Sequence, residues 1–104
     1  MNTSFLGFFK LGIDTVWGTF TTEDSDGAAS EPEATPTFVS YSEDGEVIDS
    51  GNCVVHDAGP LTGSYRFSFL PTSPNYARGK TSEVKVIYSV NGVERYPRFR
   101  FILT

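Results

Sequence analysis

Apolar and polar residues alternate along much of this chain with a period of two, the spacing at which side chains of a strand share one face. Tyr65, Phe67 and Phe69 fall on one side of Gly63 to Leu70, with Ser64, Arg66 and Ser68 on the other. Val84, Val86, Tyr88 and Val90 repeat the pattern in Ser82 to Val90. Asn91-Gly92 follows, a dipeptide that favours a type I′ hairpin turn, and Val93 to Leu103 reads as the returning strand. Pro97 lies in its middle and calls for an edge position or a bulge, because proline has no N–H to donate to a ladder. Asp14 to Thr22, Thr37 to Ser42, Val47-Ile48 and Cys53 to His56 are the shorter strand candidates. Between them lie an acidic, turn-rich loop from Glu23 to Pro36, an Asp-Gly turn in Glu43 to Glu46, and breaks at Asp49 to Asn52, Asp57 to Pro60 and Pro71 to Gly79. About seven short strands with no helical stretch and no internal repeat predict an all-β antiparallel sandwich, with a small barrel as second choice.

Residues 1–13 stand apart as an apolar lead containing Phe5, Leu6, Phe8, Phe9, Leu11 and Ile13. From Phe9 onward the alternation of Phe9, Leu11 and Ile13 with Lys10 and Gly12 is strand-like. Two readings are open: a first strand of the core, or an arm that docks on a neighbouring subunit while residues 14–104 form the sandwich. In the second case, removing Met1 to Leu11 is expected to abolish attachment and leave the fold intact. The lead lacks a basic stretch before it, and Lys10 interrupts it, so it does not read as a secretory signal.

Length, at 104 residues, gives room for one domain and one core. The net charge of -5 argues against nucleic acid as a partner, since phosphate binding draws on clustered Lys and Arg. No run approaches the roughly 20 apolar residues of a membrane span. A single cysteine, Cys53, leaves no internal disulfide and no paired-thiolate zinc site. The one histidine, His56, lies three residues from Cys53, so on a strand the two project to opposite faces and form no nucleophile–base pair. Glu23-Asp24-Ser25-Asp26-Gly27 resembles part of an oxygen-rich calcium loop but lacks the full spacing and its closing glutamate, and the same residues are ordinary turn formers. No phosphate-cradling glycine loop or serine elbow occurs. The sequence therefore predicts no catalysis, no cofactor and no resident metal. The remaining signal is aromatic: nine Phe, five Tyr and one Trp. Phe5, Phe8, Phe9, Trp17, Tyr41, Tyr76 and Tyr96 fall at the lead, strand ends or loops, where such rings serve as anchors of protein interfaces.

Three stretches resemble the small immunoglobulin-like modules of tailed-phage structural proteins. Phe20-Thr21-Thr22 with the acidic Gly27 turn, continuing through Thr35-Pro36-Thr37-Phe38 to Asp44-Gly45, looks like their opening. Leu61-Thr62-Gly63-Ser64-Tyr65 is similar to the entry of their central strand. Tyr76-Ala77-Arg78-Gly79, followed by Glu83 to Val90 and Asn91-Gly92-Val93, looks like their last loop and hairpin. The likeness spans roughly residues 16–104 and leaves the apolar lead outside it. It implies an Ig-like sandwich acting as a non-enzymatic virion component, made in the host cytoplasm. A capsid decoration or cement protein, binding other capsid or tail subunits and itself as a homo-oligomer, is the first expectation. A tail or baseplate component, or a module that recognises a receptor or glycan, is the alternative.

Overall fold

The computed structural model describes residues 3–56 and 63–104. The expected turn at Asp57 to Pro60, and Leu61-Thr62 after it, lie outside the described residues. Strands form where the alternation is strongest. In β7 (Thr81–Val90), Ser82, Val84, Val86, Tyr88 and Val90 are buried, and the residues between them from Glu83 to Ser89 are half-buried. This longest strand is central to the larger sheet. It pairs antiparallel with β3 (Thr37–Tyr41), β8 (Val93–Arg95) and β9 (Arg98–Leu103). The hairpin turns at Asn91 and Gly92, whose φ angles of 52° and 79° are those a type I′ turn demands. Pro97 splits the returning strand in two: β8 holds Tyr88 to Val90, and β9 holds Thr81 to Lys85. Its carbonyl still accepts the Val86 N–H at 2.9 Å, so only the donor half of the ladder is lost there.

Beyond β3, β4 (Val47–Asn52) forms one edge of this sheet. The sequence places a break at Asp49 to Asn52, yet these residues continue the strand, pairing with β3 from Ser40 to Thr37. An edge strand is held on one side only, and polar residues on it keep the free side wet. At the buried Cys53, whose N–H donates to the Pro36 carbonyl at 2.8 Å, the chain leaves this sheet and enters the other as β5 (Val54–Val55).

The opposite edge is β1 (Ser4–Phe9), which runs parallel to β9. The sheet is thus mixed, where sequence reasoning expected only antiparallel pairs. These strands lie near the two ends of the chain, so no hairpin dictates their relative direction. The strand also ends earlier than the alternation from Phe9 to Ile13 implies. The Asp14 carboxylate accepts the Lys10 N–H at 2.9 Å, and the Lys10 carbonyl accepts the Ile13 and Asp14 N–H groups, closing a turn. Leu6, Phe9 and Leu11 pack against the core. The apolar lead is therefore an integral edge strand, and deleting Met1 to Leu11 would strip a strand and three apolar contacts from the sandwich.

The smaller sheet consists of β2 (Val16–Thr21), β6 (Ser64–Phe69) and β5, all antiparallel. Its inward residues meet those of the larger sheet through aromatic pairs: Phe67 lies 5.9 Å from Phe38 and 5.0 Å from Phe99, and Phe69 lies 6.0 Å from Phe101, between ring centroids. At these separations rings interact favourably beyond simple area burial. The described residues contain nine strands, because the lead adds one to the expected seven and Pro97 divides another.

Candidate interaction surface

Residues opposite one another in a ladder project to the same side of the sheet. With Phe99, Phe101 and Leu103 buried, Arg98, Arg100 and Ile102 belong to the outer side of β9. Glu83 stands opposite Arg100 and Lys85 opposite Arg98; Tyr41 stands opposite Glu83. On β1, Phe5 pairs with Arg100 and Phe8 with Ile102. Phe5 and Phe8 are three residues apart and would ordinarily face opposite ways. A bulge between Phe5 and Gly7 absorbs the odd residue, and Gly7 takes the φ of +119° that this irregularity requires. Both rings consequently lie on the outside, 5.7 Å apart and edge to face, at 54% and 65% exposure.

The rest of this face is charged and aromatic. The Lys85 ammonium lies 5.7 Å from the centre of the Tyr41 ring and 5.5 Å from that of Tyr96, bridging the two as a cation over π faces. Arg98 pairs with Glu83 at 3.2 Å, and the Tyr96 hydroxyl donates to Glu94 at 2.8 Å. That hydrogen bond holds the Tyr96 hydroxyl above the usual tyrosine range. A groove of about 470 Å³ runs across the face between Tyr41, Glu83, Arg98 and Arg100. Three of the chain's eight cationic side chains, Lys85, Arg98 and Arg100, are gathered here on a protein whose net charge is -5.

Of the seven rings singled out from sequence, Phe5, Phe8, Tyr41 and Tyr96 share this face. Trp17, 53% exposed, lies on the outer face of the smaller sheet instead, opposite Ser68. Phe9 turns inward, with its ring 6.4 Å from Phe101, and is a core contact more than a surface anchor. Tyr76 is the clear correction. It is only 3% exposed, packs 6.1 Å from Phe101, and places its hydroxyl between Asp49 at 2.6 Å and Ser40 at 2.8 Å. A ring on a loop looks free in the sequence, but the loop between β6 and β7 turns Tyr76 inward onto Phe101, Ser40 and Asp49. Arg98 and Arg100 appear in the sequence as the polar positions of an alternating strand; their pairing with Phe5, Tyr41 and Glu83 depends on register.

The other candidate chemistry is bound up in local structure. Asp24 accepts the Ala28 N–H at 3.0 Å and the Asp26 N–H at 2.9 Å, and these bonds hold its carboxyl below the usual range. Its oxygens thus organise the Glu23–Gly27 turn, and no cluster of three or more His, Cys, Asp or Glu side chains suited to a metal occurs among the described residues. Burial pushes the Cys53 thiol up to about 12, and the side chain is in the core, away from His56. The chain matches no protein-family model, and no curated protein or solved structure is significantly similar to it.

Proposed function

We propose that this chain is a non-enzymatic structural domain that binds a neighbouring protein subunit through the outer face of its larger sheet. The observation that carries the reading is the exposed Phe5–Phe8 pair beside Arg98, Arg100, Tyr41 and Tyr96. Aromatic and Arg side chains are the groups enriched at binding hot spots, and each Phe carries on the order of 150–250 Å² of surface to bury. The chain is an Ig-like module of a virion, a capsid decoration or cement protein, self-associating or seated on neighbouring capsid or tail subunits. Its strand order supports the Ig-like assignment: β2, β6 and β5 in one layer, and β9, β7, β3 and β4 in the other, follow the Greek-key arrangement of that fold. The virion setting draws on the resemblance of the Phe20–Gly45, Leu61–Tyr65 and Tyr76–Val93 stretches.

Light scattering across a concentration series, on the wild type and on Phe5→Ser/Phe8→Ser, tests the contact. The expected result is a trimer or larger species that the double variant loses while its circular dichroism and thermal transition are retained. A wild type that remains monomeric, or a variant that associates as well as the parent, would refute self-association through this face. For the virion setting, the protein should co-sediment with assembled particles, and recovery only in the slow, soluble fractions would refute it.

A further inference from the structure

The outer face of the smaller sheet carries a different chemistry. Ladder pairing sets Trp17 opposite Ser68 and Thr19 opposite Arg66, and Val54 of β5 flanks Arg66 on the other side. Just past β5, the His56 N–H donates to the Ser64 carbonyl at 2.9 Å and extends that pairing by one residue. Thr15, Trp17, His56, Arg66 and Ser68 together line a hollow of about 350 Å³. This is within the size range of small-molecule sites, which combine an apolar wall with a few convergent polar groups.

Among the described residues the lining contains one permanent cation, one imidazole, two hydroxyls and one indole, and no carboxylate. That is unusual in a chain with 13 acidic and 8 basic side chains. Arg66 is in the middle of a strand, and among the described residues the ion pair is Arg98 with Glu83, with none formed there by Arg66. Its Nε and the His56 Nδ1 are both shielded from solvent and lack a hydrogen-bond partner among the described residues. A guanidinium on the wall of a hollow, without an ion-pair partner among the described residues, favours a ligand that brings a negative charge.

We propose that this hollow binds a carboxylate-bearing sugar. The guanidinium is shaped for bidentate contact with a planar carboxylate. The exposed Trp17 ring offers a flat apolar wall for the C–H face of a pyranose, and Ser68, Thr15 and His56 supply hydrogen bonds to ring hydroxyls. An inorganic anion would use the guanidinium and imidazole but leave the indole without a role. The site is on the face opposite the protein-binding surface, so occupancy of one leaves the other free.

The test is an NMR titration of the intact chain. The single tryptophan gives one indole N–H signal, which reports the site directly. Glucuronate should shift that signal saturably, with millimolar affinity. Glucose, which lacks the carboxylate, and acetate, which lacks the ring, should each bind at least about tenfold more weakly. Arg66→Gln should abolish the glucuronate shift. Trp17→Leu, a change at an exposed position, should weaken binding as read from the Arg66 and His56 backbone amides, and serves if Arg66→Gln misfolds. Absence of a saturable glucuronate shift, equal response to glucose, or binding undiminished in both variants would overturn the proposal. Acetate or inorganic phosphate matching glucuronate would reduce the site to an adventitious anion contact and overturn it as well.

Discussion

Replacing Tyr76 by phenylalanine removes one oxygen atom from the core and keeps the ring that packs on Phe101. The Tyr76 hydroxyl has one proton and two oxygen neighbours, Asp49 Oδ2 at 2.6 Å and Ser40 Oγ at 2.8 Å. The charged carboxylate takes the proton, and the tyrosine oxygen in turn accepts from Ser40. Loss of a hydrogen bond to a charged group costs about 1.5–3 kcal/mol, and Asp49, half-exposed, recovers part of this from water. Ser40 is fully buried, so its hydroxyl is left without this partner, at a cost of about 1–3 kcal/mol. The expected destabilisation is about 2–3 kcal/mol, or a fall in Tm of roughly 10–20 °C for a domain of this size. Thermal and urea unfolding followed by far-UV circular dichroism measure it; fluorescence of the exposed Trp17 is a poor reporter. Adding Ser40→Ala should restore about 1 kcal/mol or more, because removing both partners strands no polar atom. A Tyr76→Phe variant within about 0.5 kcal/mol of the parent, or a double variant no more stable than the single, would refute the reasoning. A loss of association with stability unchanged would mean that Tyr76 faces a partner after all.

Two further predictions concern the same core. Burial holds the Cys53 thiol neutral, raised from 9.0 to about 12, and burial with the Asp49 contact raises the Tyr76 hydroxyl from 10.0. Both groups ionise more easily when unfolded; the Cys53 contribution is complete below pH 9 and is lost as pH rises through about 12, while that of Tyr76 starts to fall only above pH 10. Each group adds a slope of up to about 1.4 kcal/mol per pH unit. Chemical denaturation of wild type and Cys53→Ala from pH 8 upward should show the gap between them narrowing above pH 9; parallel curves would refute it. At Gly18, an added methyl would sit 2.8 Å from Phe67 Cε2 and 3.2 Å from Leu6 Cδ2, against a ring with no exposure and no room to retreat. Gly18→Ala should therefore destabilise by about 1–3 kcal/mol in urea unfolding, and an unchanged midpoint would contradict the packing.

Much of the strand content was legible because burial on one face leaves a period of two in the sequence. β6 and β7 lie where Tyr65-Phe67-Phe69 and Val84-Val86-Tyr88-Val90 place them, and Asn91-Gly92 turns the hairpin as its left-handed conformational preference requires. Local patterns failed where long-range pairing decides. Asp49 to Asn52 looks like a break but is held as a strand by β3, and Phe9 to Ile13 looks like a strand but is closed into a turn by Asp14. Tyr76 shows the same limit for the surface: a loop residue carries no sequence mark of which way its ring will turn.

The sequence by itself determined that the chain is all-β, which side chains could be sheltered together, and that aromatic rings exceed what alternation alone calls for. Those properties are local, set by spacing of a few residues and by the chemistry of single side chains. Tertiary structure alone decided that the apolar lead runs parallel to the last strand and that a bulge at Gly7 brings Phe5 and Phe8 to one side. It also decided that the four rings Phe5, Phe8, Tyr41 and Tyr96 share a face with Arg98 and Arg100, while Trp17, His56 and Arg66 meet on the other. The reason is register. A one-residue shift in a ladder sends every side chain of a strand to the opposite face, and register is fixed by the whole core closing at once.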